Sequence, residues 1–249
     1  MKIFLAGTGS LGKDKLDVIK QSKYFLESFF SIQNWQLDYF LSAEDFLLDS
    51  GAYTFMKSKG KKINYEEYAR KYGEFIKRYE IKHFFELDIE SVIGWDEYER
   101  LHDMICNITK KEPIPVFHKS RGKEWYLDAL KTHTYVACGG IASDGRRPKK
   151  EHLEIMKWLI KKAHEQKAQI HGLGFTSTTL FDQLHFDTVD STTWTMGARM
   201  GNLCYLTETG EMRQWYPKKN GKKPKDIREL TIHNYLEWCK FQALAERKF

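Results

Sequence analysis

Short apolar runs that end in polar or glycine residues recur along the chain, and longer amphipathic stretches separate them. The runs are rich in β-branched and aromatic residues and are bounded by turn residues, a pattern that predicts strands. Eight such runs are present, the number of strands that a barrel needs. The predicted strands run from Lys2 to Ala6, Gln36 to Leu41, Phe46 to Asp49, His83 to Ile89, Ile114 to His118, Tyr135 to Cys138, Gln169 to Gly174 and Phe186 to Asp190.

The stretches between these runs carry apolar residues at helical spacing. Helices are predicted from Tyr65 to Tyr79, Trp95 to Lys110, Lys123 to Thr132, Lys149 to Gln166 and Asp226 to Lys248, and a hairpin is predicted between Cys204 and Pro217. Because strands and helices alternate, the sheet should be parallel. We therefore expect an α/β fold, a (β/α)8 TIM-type barrel that forms a single domain over residues 1–249, with a C-terminal basic loop and helix from about residue 204.

Composition agrees with one domain. A chain of 249 residues, of which 41% are hydrophobic and 14% aromatic, can bury one large core. Apolar runs long enough to cross a membrane are missing from the sequence, and the apolar stretch that follows Met1 is too short for a signal peptide. These features predict a cytoplasmic protein without a membrane partner.

The cysteines and the charge narrow the chemistry further. The four cysteines stand far apart without a C-x-x-C pair, so each is expected to be a small buried hydrophobic residue, and no metal site is predicted. The formal net charge is +6, and basic residues cluster in Lys57–Lys62 and Lys218–Lys225. Each cluster is interpreted either as a solvated loop or as a contact for nucleic-acid phosphates.

Polar and glycine residues gather where the predicted strands end. Barrel enzymes build their active sites at the carboxyl ends of the strands, so these residues are candidates for one site. The candidates are Asp49, Asp88, His118, Gly139, Gly140, Gly172, Gly174 and Asp190. Asp187 and Asp190 are three residues apart, so in an extended strand at most one of them faces the barrel mouth.

Taken singly, each candidate also has an ordinary structural interpretation. Asp49-Ser-Gly is a common turn sequence, and Asp88 is placed to cap a helix that begins near Ser91 or Asp96. His118 is equally consistent with a half-buried histidine, and Gly139-Gly140 with a tight turn.

Taken in order, the motifs resemble those of the tRNA-guanine transglycosylases, and more closely those of the shorter phage relatives that insert 7-deazaguanines into DNA. The resemblance covers about residues 45 to 201 and depends on the order of six motifs. The family's Asp-Ser-Gly-Gly-Phe is similar to Asp49–Tyr53, its Phe-Asp-Glu to Leu87–Ile89, and its Val-Gln to Phe117–His118. Its Gly-Gly-Leu is similar to Gly139–Ile141, its Met-Gly-Val-Gly-Thr to His171–Thr176, and its Asp-x-Phe-Asp-Cys/Ser to Asp187–Ser191.

The resemblance implies a role for each matching residue. Asp190 would be the nucleophile, and Asp49 is assigned as the general acid and base. The remaining residues would bind the substrate; they are Asp88, His118, Gly139, Gly140, Gly172, Gly174, Arg199 and, by residue type, Tyr53. The implied partners are DNA, with its guanosine flipped out or in a single strand, and a 7-deazaguanine base such as 7-cyano-7-deazaguanine (preQ0). Base exchange needs no cofactor, and none is expected.

The departures from the family direct the choice of polymer. The Cys-x-Cys-x-x-Cys…His zinc site of the tRNA enzymes has no counterpart around Cys204, and no RNA-binding domain follows in this sequence. Both favour DNA over tRNA. Three alternatives stay open: the same chemistry on tRNA, a barrel that binds nucleic acid without turnover, and an unrelated barrel glycosidase that uses paired aspartates.

Overall fold

The structure is a computed structural model that describes residues 1–52, 63–140, 149–175, 177–216 and 226–249. The strands are β1 (Lys2–Ala6), β2 (Tyr24–Ser28), β3 (Asp45–Asp49), β4 (His83–Phe84), β5 (Val116–Phe117), β6 (Tyr135–Cys138), β7 (Gln169–Gly172), β8 (Thr188–Ser191), β9 (Leu203–Leu206) and β10 (Met212–Trp215). The helices are α1 (Leu16–Ile19), α2 (Asn34–Leu41), α3 (Tyr65–Arg78), α4 (Glu90–Ile93), α5 (Trp95–Thr109), α6 (Gly122–Thr132), α7 (Lys150–Glu165), α8 (Thr193–Arg199) and α9 (Ile227–Lys248).

The first eight strands form one parallel sheet in the order β4-β3-β2-β1-β8-β7-β6-β5. Its two edge strands are joined by a parallel bridge between Phe85 and Ile114, in which the Ile114 N–H donates to the Phe84 carbonyl at 2.8 Å. The sheet therefore closes on itself, and the alternating helices make it a (β/α)8 barrel of the TIM type, as the sequence predicts.

Alternate residues of each strand face two different apolar layers. The barrel interior is filled by side chains such as Phe4, Leu26, Phe85 and Val116, whereas their neighbours along the strands pack outward against the helices. Since both faces of the sheet are buried, the strands are nearly continuous apolar runs. The residue that ends such a run on the inner face lies at the barrel mouth.

One predicted strand is wrong and one observed strand was not predicted. Gln36–Leu41 belongs to helix α2, whose start is fixed by a reciprocal capping box between Gln33 and Gln36. The second strand of the barrel is β2, and its apolar run is interrupted by Glu27. Glu27 is buried on the outer face, where it accepts hydrogen bonds from Thr8 and Gln36 at 3.2 and 3.3 Å. The strand was missed because its sequence contains a charged residue, and this residue is buried only because Thr8 and Gln36 donate hydrogen bonds to it.

The last part of the described chain covers one side of the barrel. Strands β9 and β10 form the predicted antiparallel hairpin. Helix α9 packs against it through Asn234, whose side chain accepts from the Cys204 N–H at 2.7 Å and donates to the Asn202 carbonyl at 3.0 Å. Within the described residues, no helix combines the length and apolar character that a membrane span requires.

Candidate active site at the barrel mouth

Three predicted carboxylates meet at the carboxyl ends of the strands. Asp49 ends β3, Asp88 follows β4, and Asp190 is the last residue of β8 that faces the barrel interior. Burial, and then the negative charges of Asp88 and Asp190, raise the pKa of the Asp49 carboxyl to about 7. Since both neighbours act electrostatically on Asp49, the structure brings the three carboxylates into one site.

Asp190 is anchored through one of its two oxygens. Its Oδ1 accepts hydrogen bonds from the Gly174 N–H at 2.6 Å and from His171 Nε2 at 3.2 Å. Its Oδ2 has no hydrogen-bond partner among the described residues, and 11% of the side chain is exposed. One oxygen is thus held in place while the other is left available at the mouth.

His171 connects Asp190 to a polar chain that runs down the barrel interior. The ring is fully buried, with Nε2 at Asp190 and Nδ1 at 2.8 Å from the Thr188 hydroxyl, which lies 2.7 Å from the Tyr135 hydroxyl. Because a carboxylate oxygen only accepts, His171 Nε2 donates to Asp190, and Nδ1 is left to accept from the Thr188 hydroxyl. Burial raises the pKa of Tyr135 far above its ordinary value, so its hydroxyl stays protonated and donates to Thr188.

The chain of hydrogen bonds fixes the imidazole, and the imidazole fixes Asp190. Sequence reasoning assigned no role to His171, although the residue stands where the similar family motif has methionine. A polar residue inside an otherwise apolar strand run was the only available signal.

Asp49 combines the turn that its sequence predicts with a place at the mouth. Its Oδ2 accepts from the Gly51 N–H at 3.1 Å, which is the ordinary Asx turn of an Asp-Ser-Gly sequence. Gly51 has a φ of 81° and no room for a Cβ, which would lie 2.7 Å from the Phe30 Cβ. The turn therefore holds the Asp49 carboxyl in place. Asp49 can thus form the predicted turn and also serve as a chemical group at the barrel mouth.

The pKa of Asp49 predicts how stability depends on pH. The folded-state pKa of about 7 exceeds the ordinary value of 3.8, so the folded protein binds a proton more tightly than the unfolded chain. The free energy of unfolding should therefore fall as pH rises from about 4 to 7. Asp49→Asn removes this dependence and keeps an oxygen for the Gly51 N–H, so at pH 8 the variant should be more stable by about 2 kcal/mol.

Urea unfolding of the wild type and Asp49→Asn at pH 4.5 and pH 8 measures this effect. Asp45→Asn is the matched control, because Asp45 begins the same strand at the opposite end of the barrel. An equal difference between wild type and Asp49→Asn at both pH values would show that Asp49 titrates normally.

Asp88 and His118 form a pair on the other side of the mouth. His118 Nε2 lies 2.7 Å from Asp88 Oδ2, and both side chains are partly exposed. Asp88 caps neither of the helices that follow it, because α4 and α5 have no side-chain cap. Gly139 lies against the imidazole, and a Cβ there would be 2.9 Å from His118 Cε1. The glycine pair therefore lets the backbone approach the ring closely.

A buried ion cluster behind this pair holds the two loops together. The Arg121 side chain is fully buried; it donates to Glu86 at 2.5 Å and to both oxygens of Glu90 at 2.7 and 3.0 Å. Glu86 and Glu90 flank Asp88, and Arg121 follows His118 closely in sequence. The cluster therefore fixes the loop that carries Asp88 relative to the loop that carries His118. Sequence reasoning missed it, because each charge looks like a surface residue.

The other predicted site residues lie in different places. Gly172 ends β7 beside Phe175 and Phe186. Arg199 is exposed at the end of α8 and pairs with no other described residue. Tyr53 and both basic clusters lie outside the described residues. Trp194 belongs to the core: it is fully buried, and its Nε1 donates to the Ala6 carbonyl.

Asp187 lies at the opposite end of the barrel from Asp190. Its Oδ2 accepts from the Ile170 N–H at 2.8 Å and is 3.0 Å from His164 Nε2. It lines a cavity of about 350 Å³ together with Lys2 and Asp45, which form an ion pair. The expectation that only one of the two aspartates faces the mouth is confirmed, and the one at the mouth is Asp190.

Metal binding at this mouth has little support from the described residues. There, the three carboxylates do not bring ligand atoms close enough together to share one ion, and the single group that does so lies elsewhere in the fold. The polar groups of the mouth instead suit hydrogen bonding and proton transfer.

No family model and no curated protein matches this chain. Among solved structures, the chain is similar to the thiamine phosphate pyrophosphorylase from Pyrococcus furiosus, with 10% sequence identity and a TM-score of 0.41. The similarity covers 98% of this chain and 96% of that chain. So distant a likeness says nothing about the reaction, and the fold follows from the strand order and the closing bridge.

Proposed function

We propose that the protein is a glycosyltransferase that exchanges guanine in DNA for a 7-deazaguanine, such as 7-cyano-7-deazaguanine, through a covalent aspartyl-deoxyribose intermediate. The observation that carries the proposal is the contrast between two carboxyls in one mouth. Asp190 is anchored through Oδ1 with Oδ2 available, whereas the pKa of Asp49 is raised to about 7. A nucleophile beside a group that both donates and accepts a proton near neutral pH suits a double displacement.

In the first half of the reaction, Asp190 Oδ2 attacks the C1′ carbon of a deoxyguanosine. The C1′–N9 bond breaks, and its electron pair leaves with guanine. Protonated Asp49 supplies the proton that guanine needs in order to leave as a neutral base. The sugar stays on the enzyme as an ester of Asp190.

In the second half, the ionised Asp49 takes the N9 proton of the incoming deazaguanine. The nitrogen attacks C1′, the bond between C1′ and Asp190 breaks, and the free carboxylate is restored. Each half returns Asp49 to the state that the other half requires, so the exchange consumes no energy source. The hydrogen bonds from Gly174 and His171 stabilise the negative charge that returns to Asp190.

In this proposal the Asp88–His118 pair, at a distance of 2.7 Å, binds the base. In this proposal Asp88 accepts from the amino and ring N–H groups of a guanine, and His118 and Gly140 contact its carbonyl side, as the family resemblance implies. Gly139 supports this arrangement, because the absence of a Cβ leaves room for the His118 ring to lie against the strand end. Tyr53, which lies outside the described residues, and Arg199 are further substrate contacts in this proposal.

DNA is the proposed polymer because the sequence around Cys204 lacks the zinc ligands of the tRNA enzymes. A paired nucleotide shields its C1′ carbon, so the guanosine must be flipped out or single-stranded, at a cost of about a few kcal/mol. The basic clusters are suited to offset this cost through phosphate contacts, and such binding weakens as salt rises.

A base-exchange assay tests the proposal. The purified protein is incubated with 7-cyano-7-deazaguanine and either duplex DNA, single-stranded DNA or unmodified tRNA, and each polymer is digested to nucleosides for mass spectrometry. The deazaguanine deoxynucleoside is expected from DNA. Product from tRNA alone would overturn the choice of polymer, and product from none of the three would overturn the reaction.

The rate of adduct formation should depend on the protonation of Asp49. Because guanine leaves with the proton of Asp49, single-turnover trapping of the enzyme–DNA adduct should slow as pH rises above about 7, by roughly tenfold per pH unit. Quenched-flow trapping between pH 6 and pH 9 measures it. A rate that is constant across this range would remove Asp49 from the acid role.

A further inference from the structure

His102, Cys106 and Glu112 form a cluster at the end of the barrel opposite the mouth. His102 and Cys106 are four residues apart on helix α5, so they lie on one face of that helix. Glu112 lies in the turn that leads from this helix to β5. Among the described residues, this is the only group of three or more His, Cys, Asp or Glu residues whose ligand atoms all lie within 4.8 Å of one another.

The distances between the three ligand atoms match a tetrahedral site. Cys106 Sγ lies 3.5 Å from Glu112 Oε2 and 4.0 Å from His102 Nε2, and this nitrogen lies 3.9 Å from Glu112 Oε2. Zinc bonds of about 2.0–2.3 Å to nitrogen, oxygen and sulfur place tetrahedral ligands about 3.5 Å apart. Small side-chain rotations would therefore close the site without any movement of the backbone.

We propose that His102, Cys106 and Glu112 bind one Zn²⁺ ion, with water in the fourth position. A thiolate, an imidazole and a carboxylate are the three donor types that zinc takes in proteins, and the two negative groups neutralise its charge. Both ring nitrogens of His102 lie near the thiol, Nδ1 at 3.7 Å and Nε2 at 4.0 Å from Cys106 Sγ, and the Asp103 carboxylate lies 3.9 Å from Nδ1. This site shares no residue with the mouth and does not depend on the proposed reaction.

The site would stabilise the closure of the barrel. Glu112 stands two residues before Ile114, which makes the bridge to Phe85 that joins the two edges of the sheet. An ion bound between α5 and this turn would hold the incoming chain at the start of β5. Since zinc binds the folded arrangement of the three ligands, it should raise the unfolding temperature.

Cobalt and zinc titrations test the proposal on the full chain, purified without a polyhistidine tag and treated with a chelator. One Co²⁺ per chain should give the visible absorption of a tetrahedral site with a thiolate ligand, and Zn²⁺ should displace it. At zinc concentrations about 100-fold above Kd, the unfolding temperature should rise by about 5–10 °C.

The variants Cys106→Ser and Glu112→Gln should each weaken zinc binding at least tenfold, so at the same zinc concentration the thermal shift should fall to about half or less of the wild-type value. Glu112 is exposed, so its substitution leaves the fold intact, which circular dichroism verifies. The matched controls His152→Ala and Glu124→Gln, on other helices, should bind zinc like the wild type. Unchanged binding in Cys106→Ser, or cobalt spectra without a thiolate band, would overturn the proposal.

Discussion

Asp190→Asn should abolish base exchange and the trapped enzyme–DNA adduct, with a loss in rate of about 10⁴-fold or more. The amide is a poor nucleophile and cannot form the ester with C1′. Its oxygen still accepts from the Gly174 N–H and from His171, so the residues that surround position 190 keep their hydrogen bonds. The variant should therefore fold and bind DNA like the wild type, and denaturing gel electrophoresis after incubation with DNA measures the adduct.

Asp187→Asn is the matched control for this experiment. The same substitution three residues away affects a carboxylate that bonds to Ile170 and His164 at the opposite end of the barrel. It should lower stability without changing the rate of adduct formation per folded molecule. An adduct that survives in Asp190→Asn and disappears in Asp187→Asn would assign the nucleophile to Asp187.

The barrel could be predicted because it depends on features that are local in sequence. Seven of the eight predicted strands overlap barrel strands, since each is an apolar run bounded by turn residues. The exception shows the limit of that signal. Gln36–Leu41 is as apolar as a strand, but its capping box starts a helix, whereas β2 carries the buried charge of Glu27. Glu27 is compatible with a strand only because Thr8 and Gln36 satisfy it.

The candidate site also has a part that could be predicted from the sequence and a part that could not. The strand-end positions of Asp49, Asp88 and Asp190 follow from the sequence, because parallel strands bring their carboxyl ends to one edge. The groups that orient these carboxylates could not be predicted from the sequence. His171 acts on Asp190 through pairing of β7 with β8, and Arg121 reaches Glu86 and Glu90 across the closing bridge of the barrel. Such contacts depend on which strands become neighbours, a property that no local pattern encodes.

His171→Met should slow the attack on DNA by about 10²-fold while leaving DNA affinity unchanged. Methionine is the residue of the similar family motif and fills a comparable volume, but it donates no hydrogen bond to Asp190. The carboxylate then keeps only the Gly174 N–H as a donor to Oδ1 and turns away from the attacking orientation. Because the Thr188 hydroxyl loses its imidazole partner, the free energy of unfolding should also fall by about 1–3 kcal/mol.

Two further variants separate positioning from packing. His171→Gln restores an N–H at this place and should recover part of the attack rate. The ring centroids of Phe85 and His171 lie 5.2 Å apart, so Phe85→Leu removes ring contacts with His171. It leaves intact the hydrogen bonds that link Asp190, His171, Thr188 and Tyr135. If His171 acts through Asp190, Phe85→Leu loses stability but keeps its single-turnover rate, whereas His171→Met loses both. Equal rates in His171→Met and Phe85→Leu at equal stability would mean that the imidazole only fills the barrel, and that Gly174 alone orients the nucleophile.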